Sequence, residues 1–436
     1  MSDTLSSNRL AQVELKIQQE LENKANCDWI HIGYHNTKFF HARTLHQRKN
    51  SRITAIRNDC GDWIHDSEAI EAEANKFFQN LYGESPDPMG CLPPSKFPCL
   101  DHDDISFLGK QVTNEEINVA LFDMAYLKGS GSDGFHALFF QKQWNTVGDA
   151  VCNWVRSNFN KGTIDAELKN TLIVLTPKVD SLEDFTQYLP ISLCSILYNL
   201  VMKIIVNRFK TIFLKIIGPE QAGFIAGRNI TDNVIIAQEL IHSMRSFSKR
   251  KWMTIKIDLQ KAYNRVPWDF IDASLKQPVL WNRVPLSKFK PARGIRQGCP
   301  LSPYHFVLCM DWLGQVIHSA ISEGQWNSIR LSQFGPPISH LFFIYDLVIF
   351  SKADTNHNRH IKDILGSFCD FSGHKINARK KNIFFAKGVD VTVADSIIQN
   401  LGHYLGVLLC HQRVTNGTMH FVVEKVRRKL QSWDTK

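Results

Sequence analysis

Two aspartates stand where strands should end. In HLFFIYDLVIFSKA (340–353), the apolar runs LFFIY and LVIF flank a single acid, Asp346, the pattern of a hairpin that presents a carboxylate at its turn. In KWMTIKIDLQKAYNRVPWDF (251–270), Met253, Ile255 and Ile257 alternate as on one face of a strand, and Asp258 sits where that strand ends. Carboxylate oxygens are hard donors, the kind that Mg2+ requires from a protein. Either aspartate alone is also what an ordinary turn produces, since Asp bonds its own backbone there. A third segment, ARGIRQGCPLSPYHFVLCMDWL (292–313), places a glycine-bracketed polar loop and two prolines, Pro300 and Pro303, ahead of an apolar helical run.

The elements that must position these segments are spread along the chain. Thr113 and Glu116 form a capping-box pattern opening a helix with Ile117, Leu121 and Met124 at helical spacing. Lys128 to Gly134 is a glycine-rich loop. Residues 172–176 (LIVLT) predict a strand ended by Pro177, and 193–217 predicts a long amphipathic helix stopped by Gly218-Pro219. Thr231-Asp232 offers an N-cap for a helix running through Met244. Five prolines and two glycines in 83–103 disfavour any long helix and place a linker over 83–111.

Composition narrows the class of partner. Fifty-one basic residues against 42 acidic ones give a formal charge of +9, compatible with a polyanionic partner through counterion release. The basic runs 249–251, 379–381 and 427–429 are equally ordinary solvated surface. Ten cysteines without a CxxC pair argue against a zinc ribbon, a knuckle or a disulfide framework, and predict reduced intracellular thiols. The first 25 residues are polar, and no apolar run reaches the roughly 18–20 residues that span a bilayer. The expectation is a soluble intracellular protein, nuclear or cytoplasmic, with no membrane partner.

In this order the three segments resemble palm motifs of reverse transcriptases, specifically those encoded by plant LINE-type (non-LTR) retrotransposons. That family carries KIDLxKAYDRV, GLRQGDPLSP and FADDL; here they read KIDLQKAYNRV, GIRQGCPLSP and FIYDL. Further matches are WxxxGxxNTKFFH (Trp29 to His41), KxxGxDGF (Lys128 to Phe135), PISL (190–193), QAGFIAGRNITDN (221–233), SGHKINARK (372–380) and YLGV (404–407). The resemblance covers nearly the whole chain. It implies an α+β right-hand polymerase fold, with fingers over 112–249 and a palm, an antiparallel sheet with packed helices, over 250–410. Residues 1–82 would precede the polymerase, and 411–436 would begin a thumb that is largely absent.

The resemblance also implies an activity: RNA-templated DNA synthesis from deoxynucleoside triphosphates, with Mg2+ or Mn2+ as cofactor and an RNA template and DNA primer as partners. Asp258 would be a metal ligand, and Asp346 a second. Tyr263 would lie under the sugar of the incoming nucleotide. Arg296, Gln297 and Gly298 would contact nucleotide and template. Lys178 and the position before PISL would contact the triphosphate, with Lys375 and Lys380 approaching it.

Three departures from the family pattern bear on that activity. Tyr345 replaces the first Asp of FADD, the ligand shared by both metals, and a phenol of ordinary pKa near 10 supplies no charge at pH 7. Asp346 follows at once, but successive strand residues point to opposite faces, so it is not expected to substitute simply. Leu189 stands before PISL, where the fixed donor fork of Arg suits a phosphate. Cys299 replaces a commoner Asp and looks tolerable. Only 35 residues separate Asp258 from Gly294, where the family has a helix and part of a sheet; a smaller gap falls near 397–405. The expectation is a decayed, catalytically inactive copy with an incomplete palm and exposed apolar surface. The alternatives are a residually active nucleotidyltransferase and a non-catalytic RNA- or DNA-binding protein.

Overall fold

The computed structural model describes residues 53–83, 100–405 and 412–413, apart from positions 59, 127–128, 132, 166, 170, 179–181, 247–249, 269–292, 345 and 378–381. Strands β1 (Ile56–Arg57) and β2 (Trp63–Ile64) form a small ladder followed by α1 (Ser67–Gly83). Four helices come next: α2 (His102–Gly109), α3 (Asn114–Phe122), α4 (Ala137–Lys142) and α5 (Trp144–Lys161). An antiparallel hairpin of β3 (Thr171–Pro177) and β4 (Tyr188–Cys194) leads into α6 (Ile196–Ile216) and α7 (Ile230–Ser246). The rest of the chain runs β5 (Trp252–Gln260), α8 (Ala262–Arg265), α9 (Ser302–Ser322), β6 (His340–Phe343), β7 (Asp346–Lys352), α10 (Thr355–Ser372), β8 (Lys375–Ile376), β9 (Asn382–Phe385), α11 (Val391–Leu405) and β10 (Gln412–Arg413).

Local chemistry explains where the helices start and stop. The Thr113–Glu116 capping box forms with both of its reciprocal bonds, satisfying two orphan N–H groups at the start of α3. Helix α2 lies inside the block expected to be a linker, because Asp101 accepts from the Asp104 N–H and caps it. Asn229, two residues before the expected Thr231 cap, accepts from the Thr231 N–H at the head of α7. At the other end of α6, Arg228 donates to the carbonyls of Leu214, Ile217, Gly218 and Gln221. The Leu214 and Ile217 carbonyls are among the acceptors that a helix terminus leaves without partners, and Gly218 and Gln221 lie just beyond it.

The main sheet has the order β10-β9-β5-β7-β6, with β8 on the end of β5. Every pairing is antiparallel except β10 with β9. Period-2 alternation sends Met253, Ile255, Ile257 and Leu259 of β5 to one face, where they pack with Phe306, Met310 and Leu313 of α9, Ile361 and Phe368 of α10, and Ile397 and Leu401 of α11. On the other face Leu341, Phe343, Val348 and Phe350 meet Val234, Ala237 and Leu240 of α7. A core covered on both sides makes β5 almost wholly buried. A separate apolar cluster joins α3, α5 and α6, and Phe209 and Phe213 of α6 pack on Tyr304, Val307 and Leu308 of α9, tying the helical part to the sheet. An antiparallel sheet with helices layered on it is an α+β architecture. Among the described residues no helix is long and apolar enough to cross a membrane.

The described residues on either side of positions 269–292 are held together. Pro267 bridges Arg293, Gly294 N donates to Val266 O at 2.8 Å, and Ile295 N donates to Tyr263 O at 2.6 Å. The residues between, 269–292, lie outside the described ones. The exposed apolar face expected of an incomplete palm is not found on this sheet among the described residues.

Candidate active site

Asp258 and Asp346 are direct partners in the antiparallel β5–β7 ladder. Opposed residues of such a pair project from the same face, with β-carbons about 4.5–5.5 Å apart. Both side chains are buried, at 6% and 8% exposure. Alternation puts them on the face opposite Ile257 and Leu347. Asp346 therefore shares a sheet face with Asp258.

The turn that delivers Asp346 is a tight one. Phe343 pairs with Asp346, leaving two loop residues, and Ile344 takes φ 68°. Two-residue hairpins favour a positive φ at this position, yet a β-branched residue there is strained. The loop of the QAGF motif braces it. A β-carbon at Gly223 would lie 2.4 Å from Ile344 Cγ1, so only glycine allows the approach. Glu220 O accepts from Phe342 N at 3.0 Å, and Asn233 Nδ2 donates to both Glu220 O and Phe342 O. Tyr345, the substituted position, lies outside the described residues.

A residue that the sequence reading passed over sits on Asp258. Asn377 donates its backbone N–H to the Asp258 carbonyl at 2.8 Å and its Nδ2 to Oδ2 at 3.0 Å. It belongs to SGHKINARK, in which the lysines drew attention because of their charge. Lys375 of the same segment is exposed and pairs with Gln260 at the end of β5; Lys380 lies outside the described residues.

Tyr263 is half-buried, its ring stacked on Phe306 with centroids 5.0 Å apart. The Arg296-Gln297-Gly298 loop docks on β4. Ser192 N donates to Gln297 O at 2.6 Å, and Gly298, at φ 123°, sits where a β-carbon would be 2.4 Å from Ser192 O. Arg296 lies over the Tyr198 ring and donates to Lys169 O at 3.1 Å. Leu189, half-buried, is the register partner of Thr176 on the β3–β4 hairpin. Lys178 follows that hairpin's first strand and is exposed. Lys261, beside Asp258 in sequence, was also missed. It takes φ 48°, its Nζ lies 4.3 Å from the Phe77 ring centroid, and burial, then the nearby Lys178 and Arg265, push its pKa down to about 8.

Two buried carboxylates facing one another are a donor set of hard oxygens, which suits a divalent cation such as Mg2+. Asn377 donates to one oxygen of Asp258 and orients the carboxylate. The Lys178 and Lys261 cations add positive charge close to the sheet end, as an anionic substrate would need.

Comparison with known proteins fits this arrangement. The family model "Reverse transcriptase (RNA-dependent DNA polymerase)" matches residues 176–409. The Transposon TX1 uncharacterized 149 kDa protein of Xenopus laevis is 28% identical over 304 residues, 63% of this chain and 23% of that protein. The Pol polyprotein from the type-1 retrotransposable element R2 of Nasonia vitripennis is 24% identical over 341 residues, 70% of this chain and 32% of that protein. A third relative, the Pol polyprotein from the type-2 retrotransposable element R2DM of Drosophila melanogaster, is 26% identical over 244 residues, 50% of this chain and 22% of that protein. The chain thus spans a third or less of these relatives. The matched segment begins in the β3–β4 hairpin, contains both aspartates and carries the palm and fingers of a polymerase. This chain belongs to the reverse transcriptase (RNA-dependent DNA polymerase) family.

Proposed function

We propose that this chain is the polymerase part of a plant non-LTR retrotransposon protein, descended from an enzyme that copies RNA into DNA, and that its own catalysis has decayed. The observation that carries the reading is the Asp258–Asp346 pair, set in register on one sheet face, in a hairpin whose remaining acidic position is Tyr345. When bound, Mg2+ would lower the pKa of a primer 3′-hydroxyl and neutralise charge on the leaving oxygens. Asp258 and Asp346 would hold it, with Asn377 fixing the rotamer of Asp258. Gln297 and Gly298, locked to Ser192, would form the wall of the nucleotide pocket, and Tyr263 its floor. Leu189 removes a phosphate-binding donor that the β3–β4 hairpin would otherwise present.

The relatives of transposon TX1 and retrotransposable element R2 support the origin. The +9 charge supports retained affinity for RNA and DNA even without synthesis. One observation favours residual activity instead: Asp346 is the register partner of Asp258, so two carboxylates lie side by side on one sheet face. Primer extension on an RNA template, run with the unmodified chain, Asp258→Ala and Tyr345→Asp, separates the readings. Extension that Asp258→Ala abolishes would establish a residually active enzyme; no extension beside salt-sensitive RNA binding is the result the decay reading expects.

A further inference from the structure

A second cluster of potential ligands lies on the other face of the sheet from the aspartates. Glu220 comes from the loop after α6, His318 from the last turns of α9, and His340 is the first residue of β6. One ligand atom from each lies within 4.8 Å of the other two. Glu220 Oε1 and His318 Nε2 are 3.2 Å apart, near the ~3.3 Å edge of a tetrahedron built on Zn–N and Zn–O bonds of about 2.0–2.1 Å. The longer edges would need to close by up to about 1.5 Å as an ion enters. The His318 and His340 rings meet edge to face, with centroids 5.5 Å apart.

His340 supplies an independent sign that something belongs there. The residue has no exposed surface, its Nδ1 is 2.9 Å from Ser339 Oγ, and its Nε2 is buried without a hydrogen-bond partner. Buried polar atoms are almost always partnered, and an ordered water or an ion is among the partners that account for an exception; what distinguishes His340 Nε2 from the other such atoms is that Glu220 and His318 converge on it. In the tautomer whose Nδ1–H donates to Ser339 Oγ, Nε2 carries the lone pair, the arrangement that orients a metal-binding histidine.

We propose that Glu220, His318 and His340 bind one Zn2+, with water at the fourth position. Two imidazoles and one carboxylate suit this borderline ion, whereas Mg2+ and Ca2+ demand oxygen ligands throughout. His318 is partly exposed, at 42% of its side chain, and gives the ion an entry path. The site is separate from the aspartate pair: His340 lies three residues along β6 from Phe343, the partner of Asp346, or about 10 Å, and on the opposite face. Bound zinc ties α9 and β6 to the loop that braces the hairpin, since Glu220 O already accepts from Phe342 N and Gly223 supports Ile344. It acts as a staple. It does not depend on whether the chain still polymerises DNA.

The test uses the full chain, stripped with a chelator and titrated with Zn2+ and separately with Co2+. One Zn2+ per chain by elemental analysis is expected, with a melting temperature that rises until one equivalent is added. The Co2+ form should show the d–d bands of nitrogen and oxygen ligation without thiolate-to-cobalt charge transfer. His318→Gln, at a partly exposed position that should tolerate the change, should weaken binding by more than the ~10–100-fold that loss of an outer hydrogen-bond partner costs. Asp258→Asn should leave the stoichiometry unchanged. Absence of stoichiometric zinc, a thiolate spectrum, unchanged affinity in His318→Gln, or loss of the ion in Asp258→Asn would each overturn the assignment.

Discussion

Asn377 holds Asp258 twice, through a backbone bond of 2.8 Å to its carbonyl and a side-chain bond of 3.0 Å to its carboxylate. The first bond registers the segment after β8 against the end of β5, and the second fixes where the carboxylate points. Asn377→Ala removes only the second. A hydrogen bond to a charged group contributes about 1.5–3 kcal/mol, so denaturant unfolding should show a loss in that range. The Asp258→Asn, Asn377→Ala double variant should lose less than the sum of the two single changes. Strict additivity in that cycle would mean that the two side chains do not interact.

Gly298 makes a sharper demand. At φ 123° and 2.4 Å from Ser192 O, a methyl group there is opposed by both its own backbone and a neighbouring carbonyl. Backbone strain of this kind costs on the order of 1–3 kcal/mol, before the contact with Ser192 is counted. Gly298→Ala should therefore lower the melting temperature and free the loop from β4, which hydrogen exchange at the Ser192 N–H would report. Protection of that N–H equal to the unmodified chain's would show that the loop is not held this way.

One face of β5 was legible because the alternation of Met253, Ile255 and Ile257 is a local property, and the same is true of the Thr113–Glu116 cap. Helix α2 was not, because five nearby prolines suggested a linker while a single aspartate, Asp101, sufficed to start a helix. Asp258 and Asp346 could be singled out, but that they face each other is a matter of strand register, which neither segment encodes alone. Asn377 and Lys261 were hidden for a related reason: their roles come from contacts across the chain. Arg208 is similar, buried and forked onto Glu116 with the Leu108 and Lys110 carbonyls on its other side, and nothing in α6 announces it. The deficit between Asp258 and Gly294 was visible as a count, whereas the meeting of Pro267 and Arg293 across it is a contact that no local pattern announces.

Lys261 should make stability depend on pH in an unusual direction. Its pKa falls from the ordinary 10.5 to about 8, chiefly through burial. Between those values the unfolded chain binds the proton more strongly than the folded one, so stability attributable to this group rises with pH across that window. Below about 8 both states are charged and the folded state bears the full penalty of a partly buried cation. Lys261→Met, which keeps an apolar stem over Phe77, should stabilise the protein at pH 7, with the gain shrinking towards pH 10. A gain that is constant from pH 7 to 10 would refute the titration argument.

Nucleic acid should still bind, because the basic surplus survives whatever happened to catalysis. RNA affinity should fall steeply and linearly in log–log form as salt rises. Lys178→Ala, at an exposed cation after β3, should weaken binding across sequences alike and make the salt slope shallower by up to about one unit. Filter binding at low and moderate salt reads both quantities, and no retention at low salt would end the binding-protein alternative.

Tyr345 sets the expectation for catalysis. Replacing a carboxylate shared by two metals with a neutral phenol removes several kcal/mol of charge stabilisation, and since 1.36 kcal/mol is about tenfold in rate, a defect of roughly a thousandfold or more follows. Mn2+ should bind weakly to the unmodified chain, through Asp258 and Asp346 alone, and more tightly to Tyr345→Asp. Calorimetric titration with primer, template and nucleotide present distinguishes these states, and tight binding of two ions to the unmodified chain would sink the idea. Activity should not return with Tyr345→Asp alone. Leu189 still lacks the donors of Arg, and a displacement of about 1 Å at the reacting atoms can cost on the order of a hundredfold. Primer extension by Tyr345→Asp, Leu189→Arg should therefore exceed that of either single variant, and full activity in Tyr345→Asp alone would show that Leu189 is no obstacle.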